Sequence, residues 1–432
     1  MENRAMKYAQ SIARMIQFET VFLPENEAEF EGQRAVMKEL LPHVWNTCKV
    51  QNFDGSLLFC WPGRQHEDAL LLMSHQDVVE APGEWKYPPY SGEIVDGQLW
   101  GRGTIDVKAN LYCILKAVDE LIAEGVVPER DVYVATSNME EVGGNDLVVD
   151  YLKENGISIG LLLDEGSCIQ ECPVTGIEGK VALISVAEKG YMDIRCIARS
   201  NGGHASSPEK GTPLPRLGAF MCQVEDEGLF QPEVDVASAD MFARLAPMMG
   251  GEKGEILADL KNRRADWDKV LTRKELNMLN TTIAFTMASG SKAPNVIPQE
   301  ASVTCNVRMA PSHSVEMVMK RLGEIAAQHN VELELLRHNE PSPITDPKSR
   351  AFHQIESAMA KVYPDLPVLP FLLAGGTDTK HFTDYCPNCL RHPPMVFTAE
   401  QRKGIHGLNE HIDIDVLPGA VDFFKALIQG ME

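Results

Sequence analysis

The stretch Asp131 to Gly144 reads DVYVATSNMEEVGG. Val132, Tyr133, Val134 and Ala135 predict a buried strand, and just beyond it stand Glu140 and Glu141. Like charges at the end of an apolar strand repel one another and resist burial, unless a cation or a proton transfer makes use of them. Other stretches place acids and imidazoles in the same kind of setting. LLLMSHQDVVE puts His75 after an aliphatic run, with Asp77 two residues on. A metal-binding imidazole donates its other ring N–H to a carboxylate, and Asp77 is spaced to do this for His75. WGRGTIDVKAN sets Asp106 between a glycine-rich turn and a helix start, and GLLLDEGS ends an apolar run on Asp164. His406, in KGIHGLNEHI, supplies a second imidazole; the nearby His411 lacks a comparable setting and reads as a surface residue.

In an open α/β sheet, ligands bind beyond the carboxyl ends of the strands, so these positions can converge. The charges then balance. Three carboxylates, one of them bridging, and two neutral imidazoles offset most of the charge of two divalent cations. That donor set suits zinc and permits manganese or cobalt. A fourth carboxylate left off the metals can serve as general base toward a metal-bridging water. Adjacent residues point in different directions, so in MEE one glutamate can bind metal while the other faces substrate.

The elements that must position these residues are legible in outline. Residues 1–45 read as helical. Strand signals (SLLFCWPG, DALLLMSHQDV, DVYVATS, SIGLLLDEG) then alternate with amphipathic helices (NLYCILKAVDELIAEG, NDLVVDYLKENG), which predicts a mainly parallel sheet covered on both faces. From about Val186 the pattern changes to strictly alternating strands, the helix PRLGAFMCQVED, and a charged, Met-rich stretch from Gly228 to Asn280 that reads as irregular. The α/β alternation resumes after Pro311. The expectation is an α/β catalytic domain of residues 1–186 and 313–432, interrupted by an inserted α+β domain of residues 187–312.

At 432 residues the chain is too long for one ordinary core. A formal charge of −22 disfavours nucleic acid and anionic membrane as partners. No run is long and apolar enough to span a bilayer, and MENRAMKYAQSIARMIQFET lacks the apolar core of a signal peptide. The ten cysteines are scattered, and the closest pair, Cys386 and Cys389, has no second half to complete a zinc ribbon. They read as structural thiols in a reducing, cytoplasmic setting.

Taken together, HxDVV, DGxLWGRGxxDxK, MEExGG, LLLDEG, GGHASSP, NVIP, GGTD and HGxNE resemble the aminoacylase and carboxypeptidase S family of co-catalytic zinc hydrolases, which includes succinyl-diaminopimelate desuccinylase. The match runs from about residue 70 to 415. The resemblance implies a zinc-aminopeptidase-like catalytic domain in which Asp106 bridges two zinc ions. His75 and Asp164 complete one site, and Glu141 and His406 the other. It casts Glu140 as general base, Asp77 as the residue orienting His75, and the Asp106–Val107 peptide as cis. The inserted domain corresponds to a lid that commonly pairs across a homodimer. There His204 matches an oxyanion-stabilising histidine, and Asn295 and Arg308 match readers of the substrate carboxylate and amide. Gly375, Gly376 and Thr377 match a loop lining the same pocket.

Glu80 stands where the family has proline after HxDVV, and DVKAN departs after the bridging aspartate, but neither removes a ligand. The long insert is nearest to carboxypeptidase S and its N-acyl amino acid hydrolase relatives. The expected activity is hydrolysis of the amide of a small peptide or N-acyl amino acid with a free α-carboxylate. A strict dipeptidase of the carnosinase type, or a member that binds metal and ligand without catalysis, are the alternatives.

Overall fold

The computed structural model describes residues 2–431. The chain forms two compact units, one of Met1–Val186, Thr345–Phe371 and Gly376–Glu432, the other of Ala187–Ile344 and Leu372–Gly375.

The first unit is built on a mixed sheet, in which Lys49–Phe53, Ser56–Trp61, Arg130–Thr136, Gln65–Met73, Ile159–Asp164, Cys389–Arg391, Lys180–Glu188 and Val368–Leu373 lie in that order. The central pairings, Gln65–Met73 with Arg130–Thr136 and with Ile159–Asp164, and Ile159–Asp164 with Cys389–Arg391, are parallel. Toward the edges the sheet turns antiparallel, so it is less uniformly parallel than the helix–strand alternation predicts. One cause is local. Asp54 and Gly55 both have positive φ and close Lys49–Phe53 onto Ser56–Trp61 as a two-residue hairpin, for which an Asp-Gly pair is suited.

Central strands are buried on both faces. Ala69, Leu71 and Met73 pack with Val148, Val149 and Leu152 of the helix Leu147–Glu154, while Leu70 and Leu72 point the other way and are equally buried. The helix Lys108–Ala123 packs against the C-terminal helix Val416–Gln429. Cys386 and Cys389 sit in the core beside Leu162 and Phe382, and none of the ten cysteines is joined in a disulfide.

The second unit is an antiparallel sheet in the order Thr282–Ser289, Glu300–Met309, Gly190–Arg199 and Glu332–Asn339. Met192, Ile194 and Cys196 from the central strand pack with Leu217 and Phe220 of the helix Pro213–Glu227, and with Val318 and Leu322 of Val315–Gln328. That helix and the strand Glu332–Asn339 therefore belong here, and the chain returns to the first unit at Thr345 rather than at residue 313. The stretch read as irregular is also largely helical, over Val236–Met249, Gly251–Ala258 and Arg273–Met278. Pro247 within the first of these and Gly250–Gly251 at positive φ interrupt the apolar period that would reveal them. Thr272 and Glu275 form a capping box at the third.

Among the described residues, no helix is long and apolar enough to cross a membrane.

Candidate metal centre

Three parallel strands deliver the site. Gln65–Met73 leads to His75, Arg130–Thr136 to the 3₁₀ turn Glu140–Val142, and Ile159–Asp164 to Asp164 and Glu165. Pairing continues past the first strand, since Ser74 N–H donates to Ala135 O at 3.2 Å and Gln76 N–H to Ser137 O at 2.6 Å. His75 is thus held by backbone on a stretch that leaves the sheet. Asp106 comes from the loop ahead of the helix Lys108–Ala123, and its peptide to Val107 is cis. His406 follows the 3₁₀ turn Gln401–Gly404 at a φ of 56°.

These side chains meet around Asp106. His75 Nε2 lies 3.1 Å from Asp106 Oδ1, and His406 Nε2 lies 3.0 Å from Asp106 Oδ2. His75 Nε2 is also 3.2 Å from Glu165 Oε1, and His406 Nε2 is 3.1 Å from Glu141 Oε2. Two donor sets result, His75–Asp106–Glu165 and Asp106–Glu141–His406, each with its donor atoms within 4.8 Å of one another and both sharing Asp106. His75 with Glu140 and Glu141 makes a further such group.

Asp164, expected as a metal ligand, is engaged elsewhere in this arrangement. Asp164 enters none of the donor sets found among the described residues. Its Oδ2 accepts Thr379 Oγ1–H at 2.8 Å and Thr379 N–H at 3.2 Å, and its Oδ1 accepts Glu165 N–H at 2.9 Å. Asp164 and Glu165 line the same cavity as His75 and Glu140, but their hydrogen bonds differ. Asp164 therefore ties the strand to the turn Asp378–His381, while Glu165 reaches His75.

Asp77 meets His75 Nδ1 through its backbone carbonyl as well as its carboxylate. His75 Nδ1 donates to the Asp77 backbone carbonyl at 2.9 Å, with the Asp77 carboxylate 3.4 Å away. A carbonyl can only accept, so Nδ1 carries the proton and Nε2 is the nitrogen that can ligate. The buried Asp77 carboxylate accepts the backbone N–H groups of Glu140 at 3.2 Å and Glu141 at 3.0 Å, fixing the turn that presents both glutamates.

The electrostatics call for a cation. Burial, reinforced by the charges of Glu165, Asp378 and Glu141 and partly opposed by His75, pushes the Glu140 carboxyl up to about 10. Burial likewise pushes Glu165 to about 8, with His75 opposing. Burial alone would lower the His75 pKa, but Glu165, Asp106 and Asp77 hold it well above the usual histidine value. Hydrogen bonds to Asp106 and Glu141 raise His406 to about 10. Glu141 Oε1 is buried with no hydrogen-bond partner. Buried acids that resist ionisation, a bare carboxylate oxygen and imidazoles that gain charge are the marks of a site shaped for positive charge. Two divalent ions fit these donors, and imidazole with carboxylate oxygen suits zinc.

The remaining expected residues fall in both units. In the second, His204 and Val296 pair across a two-stranded ribbon, and Ala205 N–H donates to Asn295 O at 3.0 Å, so His204 and Asn295 lie together. Exposed His204 has Nδ1 2.8 Å from Ser206 Oγ. Arg308 stacks 4.6 Å over the Tyr191 ring and donates to Asn306 Oδ1 and to Ala374 O. Gly375 ends that unit; Gly376 and Thr377 open the last segment of the first, where Thr377 caps the turn Asp378–His381. His411, expected on the surface, is buried and stacks on Trp100 with ring centroids 4.0 Å apart.

The sequence model described as peptidase family M20/M25/M40 matches residues 71–430. Over 445 residues the chain is 28% identical to the N-fatty-acyl-amino acid synthase/hydrolase PM20D1 of Xenopus tropicalis, spanning 100% of this chain and 87% of that protein. It is 29% identical over 451 residues to the probable carboxypeptidase S-like 2 of Dictyostelium discoideum, spanning 99% and 85%. Among solved structures, the M20 family metallo-carboxypeptidase Sso-CP2 from Sulfolobus solfataricus superposes with a TM-score of 0.70 at 17% identity over 98% of each chain. Human carnosine dipeptidase 1 gives 0.66 at 15% identity over 100% of this chain and 97% of that one. These two likenesses are of fold.

Proposed function

The chain belongs to peptidase family M20/M25/M40 and is a metal-dependent hydrolase of amide bonds, and from this premise we propose that it cleaves small peptides or N-acyl amino acids bearing a free α-carboxylate. One observation bears most of the weight: the two oxygens of Asp106 each face a histidine, so that two donor sets share one carboxylate.

On this reading His75, Asp106 and Glu165 would hold one zinc ion, and Asp106, Glu141 and His406 the other. Such a pair would supply Lewis acidity for the scissile carbonyl and would acidify water. The rest falls to the chain's own side chains. Glu140 accepts a proton from the attacking water and delivers it to the leaving nitrogen. Its placement supports this, because Asp77 holds its backbone N–H and its carboxylate stands with Glu141 and His75 at the metal centre. Asp77 keeps His75 in the ligating tautomer and keeps Glu140 in place through the backbone. His204 donates to the developing oxyanion, while Asn295 and Arg308 take the substrate carboxylate and amide. The loop Gly375, Gly376 and Thr377 borders the substrate. A homodimer through the second unit and a cytoplasmic location belong to the same proposal; the latter is supported by ten cysteines without a disulfide.

A substrate panel tests it. N-acetyl and N-fatty-acyl amino acids, dipeptides, and the same compounds as carboxyl amides are offered to zinc-loaded protein. Release of an amino acid from the free acids and none from the carboxyl amides is expected. Turnover of free-amine dipeptides alone would move the activity to a strict dipeptidase, and equal turnover of the carboxyl amides would remove the role given to Arg308.

A further inference from the structure

Glu410, four residues beyond His406, has a fully buried side chain in the first unit. Its Oε1 accepts the backbone N–H groups of Ile105 at 2.6 Å and Asp106 at 3.0 Å. Its Oε2 accepts Gly103 N–H at 3.1 Å and Arg102 Nη1–H at 2.7 Å. Arg102 is buried too, and its Nη2 donates to the carbonyl of Gly407 at 2.8 Å, directly beside His406. One carboxylate and one guanidinium thus join the loop that presents Asp106 to the loop that presents His406.

We propose that Glu410, braced by Arg102, is a positioning residue that sets Asp106 and His406 at the separation a shared pair of cations requires. The inference rests on the reading of the metal centre given above. A buried carboxylate is costly unless its oxygens are fully used, and here they are used on the backbone of the Asp106 loop. The second loop needs an external brace as well. His406 and Asn409 both have left-handed backbone at φ of 56° and 60°, a conformation that costs residues with a Cβ some free energy, although Asn and His accept it more readily than most. The Arg102 fork supplies one such constraint. The Asn409 side chain supplies another by accepting Lys86 N–H at 2.7 Å. The arrangement lies one step outward from the ligands themselves, where hydrogen-bond partners set the orientation and affinity of a metal site.

Glu410→Gln tests this, because it keeps the shape but turns an amide N–H₂ toward donors. Zinc affinity is read by competition with a chromophoric chelator, and the visible spectrum of the cobalt(II)-loaded protein reports ligand geometry. The expected result is that one of the two cations binds about 10–100-fold more weakly and that the cobalt spectrum changes. Arg102→Lys keeps the charge but cannot span Glu410 and Gly407 together; it is expected to shift both readouts in the same direction by a smaller amount. Wild-type affinity and an unchanged spectrum in Glu410→Gln overturn the proposal. If that variant does not fold, wild-type behaviour of Arg102→Lys overturns it instead. A parent protein that binds no cation would count against the metal centre, a separate failure.

Discussion

Glu165 Oε1 lies 3.2 Å from His75 Nε2, while the neighbouring Asp164 carboxylate accepts the Thr379 hydroxyl. The two acids at this strand end therefore have separable tasks. Glu165→Ala is expected to weaken one cation by at least about tenfold with little change in stability once metal is removed. Asp164→Asn is expected to retain both cations, and its altered bond to Thr379 should cost about 1–3 kcal/mol of stability. Metal content and denaturant midpoints of the two variants check the division. The reverse outcome would restore Asp164 as the ligand.

His204 is assigned to the oxyanion, and the loss of one such donor typically costs about 10²–10³ in kcat. His204→Ala is expected to lose turnover on that scale while keeping metal content and KM close to those of the parent. A raised KM with unchanged kcat would instead make it a residue of ground-state binding.

The glycines of MEEVGG differ in what they protect. Gly144 has φ +67°, and a Cβ there would meet Asp378 Oδ1 at 2.1 Å and His381 Nε2 at 2.7 Å. At Gly143 a Cβ would meet nothing within 4 Å, although its φ of +124° still disfavours a side chain. Gly144→Ala is expected to cost about 1–2 kcal/mol from backbone alone, with a further loss from displacing Asp378. Thermal or urea unfolding of the two alanine variants tests the order, Gly144 the more damaging.

His392 gives the fold a dependence on acid. Burial, only partly offset by its contacts with the carbonyls of Ser167 and Leu183, lowers its pKa to about 4. Between that value and the unfolded value of about 6.5, the unfolded chain binds a proton that the folded chain does not. Its contribution to stability is therefore present above about pH 6.5 and is lost as pH falls toward 4, by up to about 3 kcal/mol. His392→Asn keeps a donor without the titration. The parent's stability should fall more steeply than the variant's across this window, and parallel curves would exclude the effect.

Much of the site is legible in the sequence because it depends on local order. His75, Asp106, Glu141 and His406 each follow a recognisable strand end or glycine-rich turn, and the structure gathers them. The choice between Asp164 and Glu165 is not local. It turns on Thr379, which bonds Asp164 from 215 residues away in the chain and which no local pattern announces. His411 looks superficial for the same reason, since its stacking partner Trp100 is remote in sequence. The helices between Val236 and Met278 are hidden by Pro247 and by Gly250–Gly251, yet Met241, Phe242, Leu245 and Ile256 are buried. The later return to the first unit reflects pairing of Gly190–Arg199 with Glu332–Asn339, which no periodicity announces.

The most direct test of the central claim is hydrolysis of an N-acyl amino acid followed while zinc is added back to chelator-stripped protein, with Glu140→Gln in parallel. The rate of the parent is expected to rise to a plateau at about two ions per chain. The variant should bind the same number and turn over roughly 10²–10⁴-fold more slowly. Undiminished hydrolysis by the stripped protein, or full activity in Glu140→Gln, would contradict a metal-dependent reaction with Glu140 as its base.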